Sequence, residues 1–165
     1  MANNTVVDAK TNKHLTFCLG DEEYGLDILK VQEIIGIMSI TRVPRTPKSV
    51  RGVINLRGKV IPVVDLREKF ELGFVEDTDR TCIVVVQVAG NSGPTTMGVV
   101  VDEVSEVLDI ADNEVEETPE FGGEVEAEFV QGIGKVDDRV VMLLDIDRVL
   151  SGKEVSVVEK LAKEA

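Results

Sequence analysis

Apolar residues in this chain fall in short runs separated by polar turns, a pattern that predicts strands. Leu15 to Leu19 and Glu23 to Leu26 read as two strands around a Gly20-Asp21-Glu22 turn. Asp27 can then cap a short amphipathic helix with Ile28, Val31, Ile34 and Ile35 on one side. Val43-Pro44 and Thr46-Pro47 break that pattern and open an extended loop. Val50 to Leu56 and Lys59 to Val64 are predicted strands joined at Arg57-Gly58, and Asp65, with Glu68 three residues on, opens a helical turn over Leu66 to Phe70. Glu71 to Arg80 is a polar connector.

The later part of the chain has the same texture. Thr81 to Val88 and Thr96 to Val101 are predicted strands around a Gly90 to Pro94 turn, followed by a helical or mixed segment, Asp102 to Leu108. Asp109 to Glu120 is acidic and loop-like, and Glu124 to Val130 fits either a helix or a strand. Val130 to Val136 and Arg139 to Leu144 are strands, Asp145 opens Ile146 to Leu150, and Glu154 to Ala165 forms an amphipathic helix carrying Val157, Val158 and Leu161.

The two halves can be laid on each other. At an offset of 73 residues Tyr24-Gly25-Leu26 falls on Met97-Gly98-Val99, Glu33 on Glu106, and Ile34-Ile35 on Val107-Leu108. At an offset of 80, Gly52 falls on Gly132, Val60-Ile61 on Val140-Val141, and Val63-Val64-Asp65 on Leu143-Leu144-Asp145. A duplicated unit of about five short strands is barrel-sized. The expected organisation is a disordered lead over 1–13, a domain over 14–152 and a C-terminal helix over 153–165. Within the domain one barrel spans about 14–80 and a second about 81–152, with exchange of strands between them left open. Asn55, Arg57 and Gly58 do not recur; their counterparts are Lys135, Asp137 and Asp138.

Composition sharpens this picture. The chain is 43% hydrophobic but only 4% aromatic, so its core must come from Val, Ile and Leu, which favour strands. The net charge of −13 argues against nonspecific nucleic-acid binding. Its distribution is uneven: residues 81–134 hold twelve acids and no Lys or Arg, whereas residues 42–69 hold eight basic residues and two acids. These are either solvated surfaces or two faces that meet different partners or each other's copies. Cys18 and Cys82 lie in apolar runs and read as buried thiols. The polar stretch Met1 to Lys13 is no signal peptide, and no apolar run reaches the roughly 20 residues that span a bilayer, so a cytoplasmic protein is expected.

Little chemistry is on offer. His14, the lone histidine, has no Cys or His beside it, so neither a metal site nor a catalytic triad is expected. There is no phosphate-binding loop, and no dinucleotide fingerprint. The predicted protein is not an enzyme and carries no cofactor. The corner at Asn55 to Gly58 stands out instead. Turn geometry accounts for Gly58 and Asn55. It does not account for Arg57, which either pairs internally with an acid such as Glu33 or reaches a partner carboxylate. Val31, Ile34 and Ile35 are either core or the wall of a groove for a partner helix.

The residues from Leu15 to Leu150 resemble the CheW-like family of bacterial chemotaxis. The resemblance rests on Gly20 to Ile28, Val31 to Ile34, Arg51 to Gly58, Ile61 to Arg67, Gly98 to Val104, and Val130 to Gly134. It implies a mainly β fold of two linked five-stranded SH3-like barrels without catalysis or cofactor. It also implies an adaptor that joins chemoreceptors to the histidine kinase CheA. The implied partners are the regulatory domain of that kinase and the cytoplasmic hairpin tip of methyl-accepting receptors, with other copies of the adaptor in rings. By motif, Val31, Glu33, Arg57 and Gly58 fall where the family meets the receptor or shapes its groove, and Gly52, Asn55 and Leu56 fall in a receptor- or kinase-contacting region. Two other readings compete. A CheV-like coupling protein would need a receiver domain, for which the fifteen residues after Leu150 leave no room. A nucleic-acid-binding barrel using residues 42–69 lacks aromatic stacking residues on these strands.

Overall fold

The computed structural model describes residues 12–72, 76–90, 93–117 and 129–150. The predicted lead, the polar connector at 73–75, the ambiguous segment before Phe129 and the predicted C-terminal helix lie wholly or largely outside these residues.

The chain is mainly β, with two sheets and short helical turns. Its strands are β1 Lys13–Leu19, β2 Glu22–Asp27, β3 Val31–Gly36, β4 Val50–Leu56, β5 Lys59–Asp65, β6 Cys82–Gly90, β7 Gly93–Val101, β8 Glu103–Asp109, β9 Val115–Glu116, β10 Val130–Val136 and β11 Arg139–Leu144. Two one-turn helices, α1 Leu66–Lys69 and α2 Ile146–Val149, follow the hairpins. They start where predicted, because the side chain of Asp65 accepts from the Arg67 backbone N–H and that of Asp145 from Arg148. None of the described helices is long and apolar enough to cross a membrane.

Two segments differ from the predicted pattern. The helix expected after Asp27 is a three-residue 3-10 turn, Ile28–Lys30, which leads directly into β3. Asp27 does cap that turn, but the β-branched Val31, Ile34 and Ile35 then take up the two-residue period of a strand, with a register shift between Val31 and Glu33. The equivalent segment after Asp102 is likewise a strand, β8. Within the acidic stretch after Asp109, a 3-10 turn at Asp112–Glu114 leads into the two-residue β9.

One sheet has the order β8-β1-β2-β11-β10-β9 and the other β3-β6-β7-β5-β4. The short β9 is the sixth strand that the five-strand expectation lacked; in the second sheet an isolated bridge between Thr41 and Val53 occupies the matching place beside β4. The sheets are copies of one plan. Each centres on an antiparallel hairpin, β1–β2 or β6–β7, whose second strand runs parallel to the second strand of another hairpin, β11 of β10–β11 or β5 of β4–β5. The register shift between Val50 and Gly52 recurs between Val130 and Gly132.

Residue 80 does not divide the sheets. The second sheet is the continuous stretch from β3 to β7, inserted between β2 and β8 of the first. In terms of the repeat, each sheet combines the opening hairpin of one unit with the closing strands of the other. Among the described residues the chain passes between sheets at two places, the turn Ile28–Lys30 and the residue Asp102.

The largest core joins the two sheets. Phe17, Leu19, Tyr24 and Leu26 of the first pack with Val64, Val84, Met97 and Val99 of the second, together with Leu66, Ile146 and Leu150 from the helical turns. At about 1.5–3 kcal/mol for each large apolar side chain buried, this shared layer holds the sheets as one body. A smaller core of Ile54, Ile61, Val63, Ile83, Val85 and Val100 lies within the second sheet, and another of Ile110, Val141 and Leu143 within the first.

Candidate functional site

The β4–β5 hairpin turns through two residues, with Leu56 paired to Lys59. Arg57 and Gly58 both have positive φ, 54° and 85°, as a tight type I′ turn demands. A glycine meets that demand at no steric cost, while Arg57 carries the strain of a left-handed backbone. The Asn55 side chain accepts a 2.8 Å hydrogen bond from the Gly58 N–H and locks the turn.

This geometry presents Arg57 to Glu33 on β3, and their side chains form an ion pair. The internal pairing left open by the sequence is therefore made, yet the Arg57 side chain stays 69% exposed and within reach of a partner. Beneath the pair lies a cavity of about 260 Å³ lined by Glu33, Leu56, Arg57, Lys59, Ile61 and Thr96, among others. Ile34 on β3 and Val60 on β5 are 42% and 51% exposed and, as strand neighbours of Glu33 and of Lys59 and Ile61, fall on the faces turned away from the cavity.

The expected site residues separate into three groups. Glu33, Leu56 and Arg57 come together around the cavity, and Asn55 and Gly58 shape the turn that brings them there. Val31 instead packs against the core shared by the sheets. Gly52 is buried toward the other end of β4. Its φ is +145°, and a Cβ there would stand 2.0 Å from the Thr41 carbonyl oxygen. It seats the strand segment at Thr41, which exchanges 2.8 Å backbone hydrogen bonds with Val53.

In the repeat, Asp137 takes the positive-φ place of Arg57 and bears the opposite charge. The acid equivalent to Glu33 is still paired: Glu106 accepts from Arg139 at 3.0 Å, and Arg139 also donates to Glu23. These two acids hold the Arg139 pKa above its ordinary value, the Glu23 hydrogen bond being the larger cause.

The most concentrated charge in the described residues was not legible as a cluster. The Arg67 side chain is 1% exposed. It donates to Asp65 at 2.9 and 3.0 Å, to Asp77 at 3.1 Å and to Asp102 at 3.1 Å. Arg51 adds two bonds to Asp77, at 3.0 and 2.8 Å, and Asp102 also accepts from the Gly20 N–H at 2.8 Å. Burial works against the Arg67 charge, but the hydrogen bonds it donates to Asp65, Asp77 and Asp102, with the charge of Asp65, outweigh it and raise its pKa. The Arg51 hydrogen bond, supported by Arg67, holds the Asp77 carboxyl below the usual carboxylate range. The cluster ties α1, the connector before β6 and the crossing at Asp102 into one joint. Only Asp65, two residues away, is near Arg67 in the sequence; Asp77 and Asp102 lie 10 and 35 residues further on, which is why the cluster left no local signal.

Comparison with known proteins follows the same outline. A family model described as a CheW-like domain matches residues 13–154. The chain is 42% identical over 149 residues to "Chemotaxis protein CheW" of Klebsiella aerogenes, covering 90% of this chain and 87% of that one. It is 32% identical over 159 residues to the protein of the same name from Thermotoga maritima, covering 94% and 97%. Its fold matches the crystal structure of the scaffolding protein TtCheW from Thermoanaerobacter tengcongensis with a TM-score of 0.78 at 35% identity, covering 88% of this chain and 96% of that one.

Proposed function

This chain belongs to the CheW-like domain family, and from that premise we propose that it is a chemotaxis scaffold, a non-catalytic adaptor that couples methyl-accepting chemoreceptors to the histidine kinase CheA. The match that spans residues 13–154 carries this reading. The protein works in the cytoplasm, held at membrane receptor arrays through the receptors it binds. One partner is the CheA regulatory domain, and the other is the hairpin tip of the receptor.

The docking surface is the end of the second sheet around Glu33, Leu56, Arg57 and Gly58. The exposed ion pair gives a partner a charge to read. Asn55 holds the turn, Gly52 seats the neighbouring segment and Val31 anchors β3 from the core side. These three act by shaping the surface. The exposed cations Arg42, Arg45, Lys48 and Lys59 and the exposed acids Asp109, Asp112, Glu116 and Glu117 offer opposite charges to other copies arranged in rings.

The deciding experiment is a pulldown with purified CheA regulatory domain and, separately, a receptor hairpin fragment. Retention of each partner is expected, with loss of at least one on Arg57→Glu while the thermal melt is unchanged. Failure of the wild-type chain to retain either partner refutes the adaptor reading.

A further inference from the structure

Each of the two described crossings between the sheets is clasped by a helical turn. At Asp102 the clasp is Arg67 of α1, 3.1 Å away, and the Asp102 carboxylate also accepts from the Gly20 N–H in the β1–β2 turn. At the turn Ile28–Lys30 the clasp is Asp147 of α2. Its carboxylate accepts from Lys30 Nζ at 2.9 Å and from the Ala89 backbone N–H, near the tip of the β6–β7 hairpin, at 3.0 Å. In both places one carboxylate joins a crossing, a helical turn and the opening hairpin of the opposite sheet. Arg67 and Asp147 stand at the same position of the repeat, 80 residues apart, so one plan is built twice with the charges exchanged.

The two clasps are unequal. The Arg67 side chain is 1% exposed and reaches three aspartates. Those of Lys30 and Asp147 are 40% and 34% exposed. A half-exposed pair contributes little and is screened by salt, whereas a buried, fully hydrogen-bonded cluster is screened much less and is costly to break. A hollow of about 420 Å³, lined in part by Leu29, Lys30, Ala89 and Pro94, adjoins the weaker clasp, so packing there is incomplete. Beside the clasp, α2 and the residue after it carry Ile146, Val149 and Leu150 into the core shared by the sheets, so lifting α2 uncovers that core at this end.

We propose that the seam between the sheets opens from the Lys30 end, with α2 as a strap released at the Lys30–Asp147 clasp and the Arg67 joint as the fixed pivot. The two halves of the repeat thereby divide the work: one crossing holds and the other gives. This inference does not depend on the adaptor reading, since its test uses the chain alone.

Hydrogen exchange of the full wild-type chain, read at single amides by NMR, is the test. Ala89, with Val149 and Leu150, whose N–H groups bond the Asp145 and Ile146 carbonyls, reports on the strap. Phe70 and Leu72, bonded to the Leu66 and Arg67 carbonyls, report on the pivot. Raising the salt from about 0.01 M to about 1 M shortens the Debye length from about 30 Å to about 3 Å. Exchange at the strap amides should then speed by about threefold relative to the pivot amides. Equal responses, no response, or a larger response at the pivot overturns the proposal. Lys30→Met supplies a second arm, since it removes the charge of a half-exposed side chain and keeps its stem. At low salt it should speed the strap amides by about the same threefold and abolish their response to salt. A salt response that survives Lys30→Met overturns the assignment of the clasp.

Discussion

Replacing Arg67 with methionine removes a buried cation while keeping most of the volume of its stem. Breaking one partner out of a buried ion pair costs about 3–5 kcal/mol, because the remaining charges are left without compensation. Here each stranded acid keeps something. Asp65 still accepts from the backbone N–H of residue 67 at 2.9 Å, Asp77 keeps both bonds from Arg51, and Asp102 keeps the Gly20 N–H. The expected loss therefore sits at the low end, about 3 kcal/mol. With a urea slope of about 2 kcal/mol/M, the unfolding midpoint should fall by about 1.5 M. Arg67→Lys keeps the charge but cannot span three carboxylates, so it should fall between the two. Urea titrations followed by circular dichroism supply the measurement. A midpoint shift of less than about 0.5 M for Arg67→Met would mean that the cluster is held by solvent and neighbours rather than by the guanidinium.

Other outcomes follow from neighbouring features. Gly52→Ala should destabilise by about 2–4 kcal/mol in the same titration, since its Cβ meets the Thr41 carbonyl at 2.0 Å and its φ is +145°. Exchanging the charges of the hairpin pair, with Glu33→Arg and Arg57→Glu together, should leave stability within about 1 kcal/mol, as an exposed pair does. Partner retention in the pulldown should recover relative to Arg57→Glu alone if the pair itself shapes the surface, and should stay low if a partner carboxylate reads Arg57 directly. Asp77, held by Arg51 below its unfolded pKa, contributes stability that is complete above the ordinary carboxylate value of about 4 and is lost as pH falls through the lower folded value. Asp77→Asn should accordingly flatten the acid limb of a plot of urea midpoint against pH.

Much of the fold was legible because hairpins and caps are local. The strand pairs around Arg57-Gly58 and before Asp145, and the aspartates that open α1 and α2, follow from neighbours in sequence. The segment after Asp27 differs from its expected helix because Ile28, Val31, Ile34 and Ile35 satisfy a helical period, and only pairing with β6 shows that β3 is extended; the segment after Asp102, helical or mixed by its sequence, resolves as β8 through pairing with β1. Tertiary pairing decides such short runs. The repeat in the sequence marked two units, but it could not say which hairpin pairs with which closing strands. That information resides in the contacts between β2 and β11 and between β5 and β7, which are remote in sequence. Of the candidate site, Glu33 was legible as one of two kinds of partner for Arg57, and the ion pair between them comes from the folded contact of β3 with the hairpin. Arg67 was hidden by the general rule that arginines face water, which a ring of three aspartates overrules.

The chain contains one tyrosine and no tryptophan. Tyr24 stacks on Phe17, with ring centroids 5.9 Å apart, and leans on Phe70 at 5.7 Å, which in turn stacks on Phe129. Phe70 follows α1 after the second sheet, whereas Tyr24 and Phe17 belong to the first, so this row crosses the seam between the sheets. The tyrosine emission of the wild-type protein is therefore a signal from that seam. Any partner, acid or denaturant that loosens the sheets from each other should change it, without a label and without a mutation.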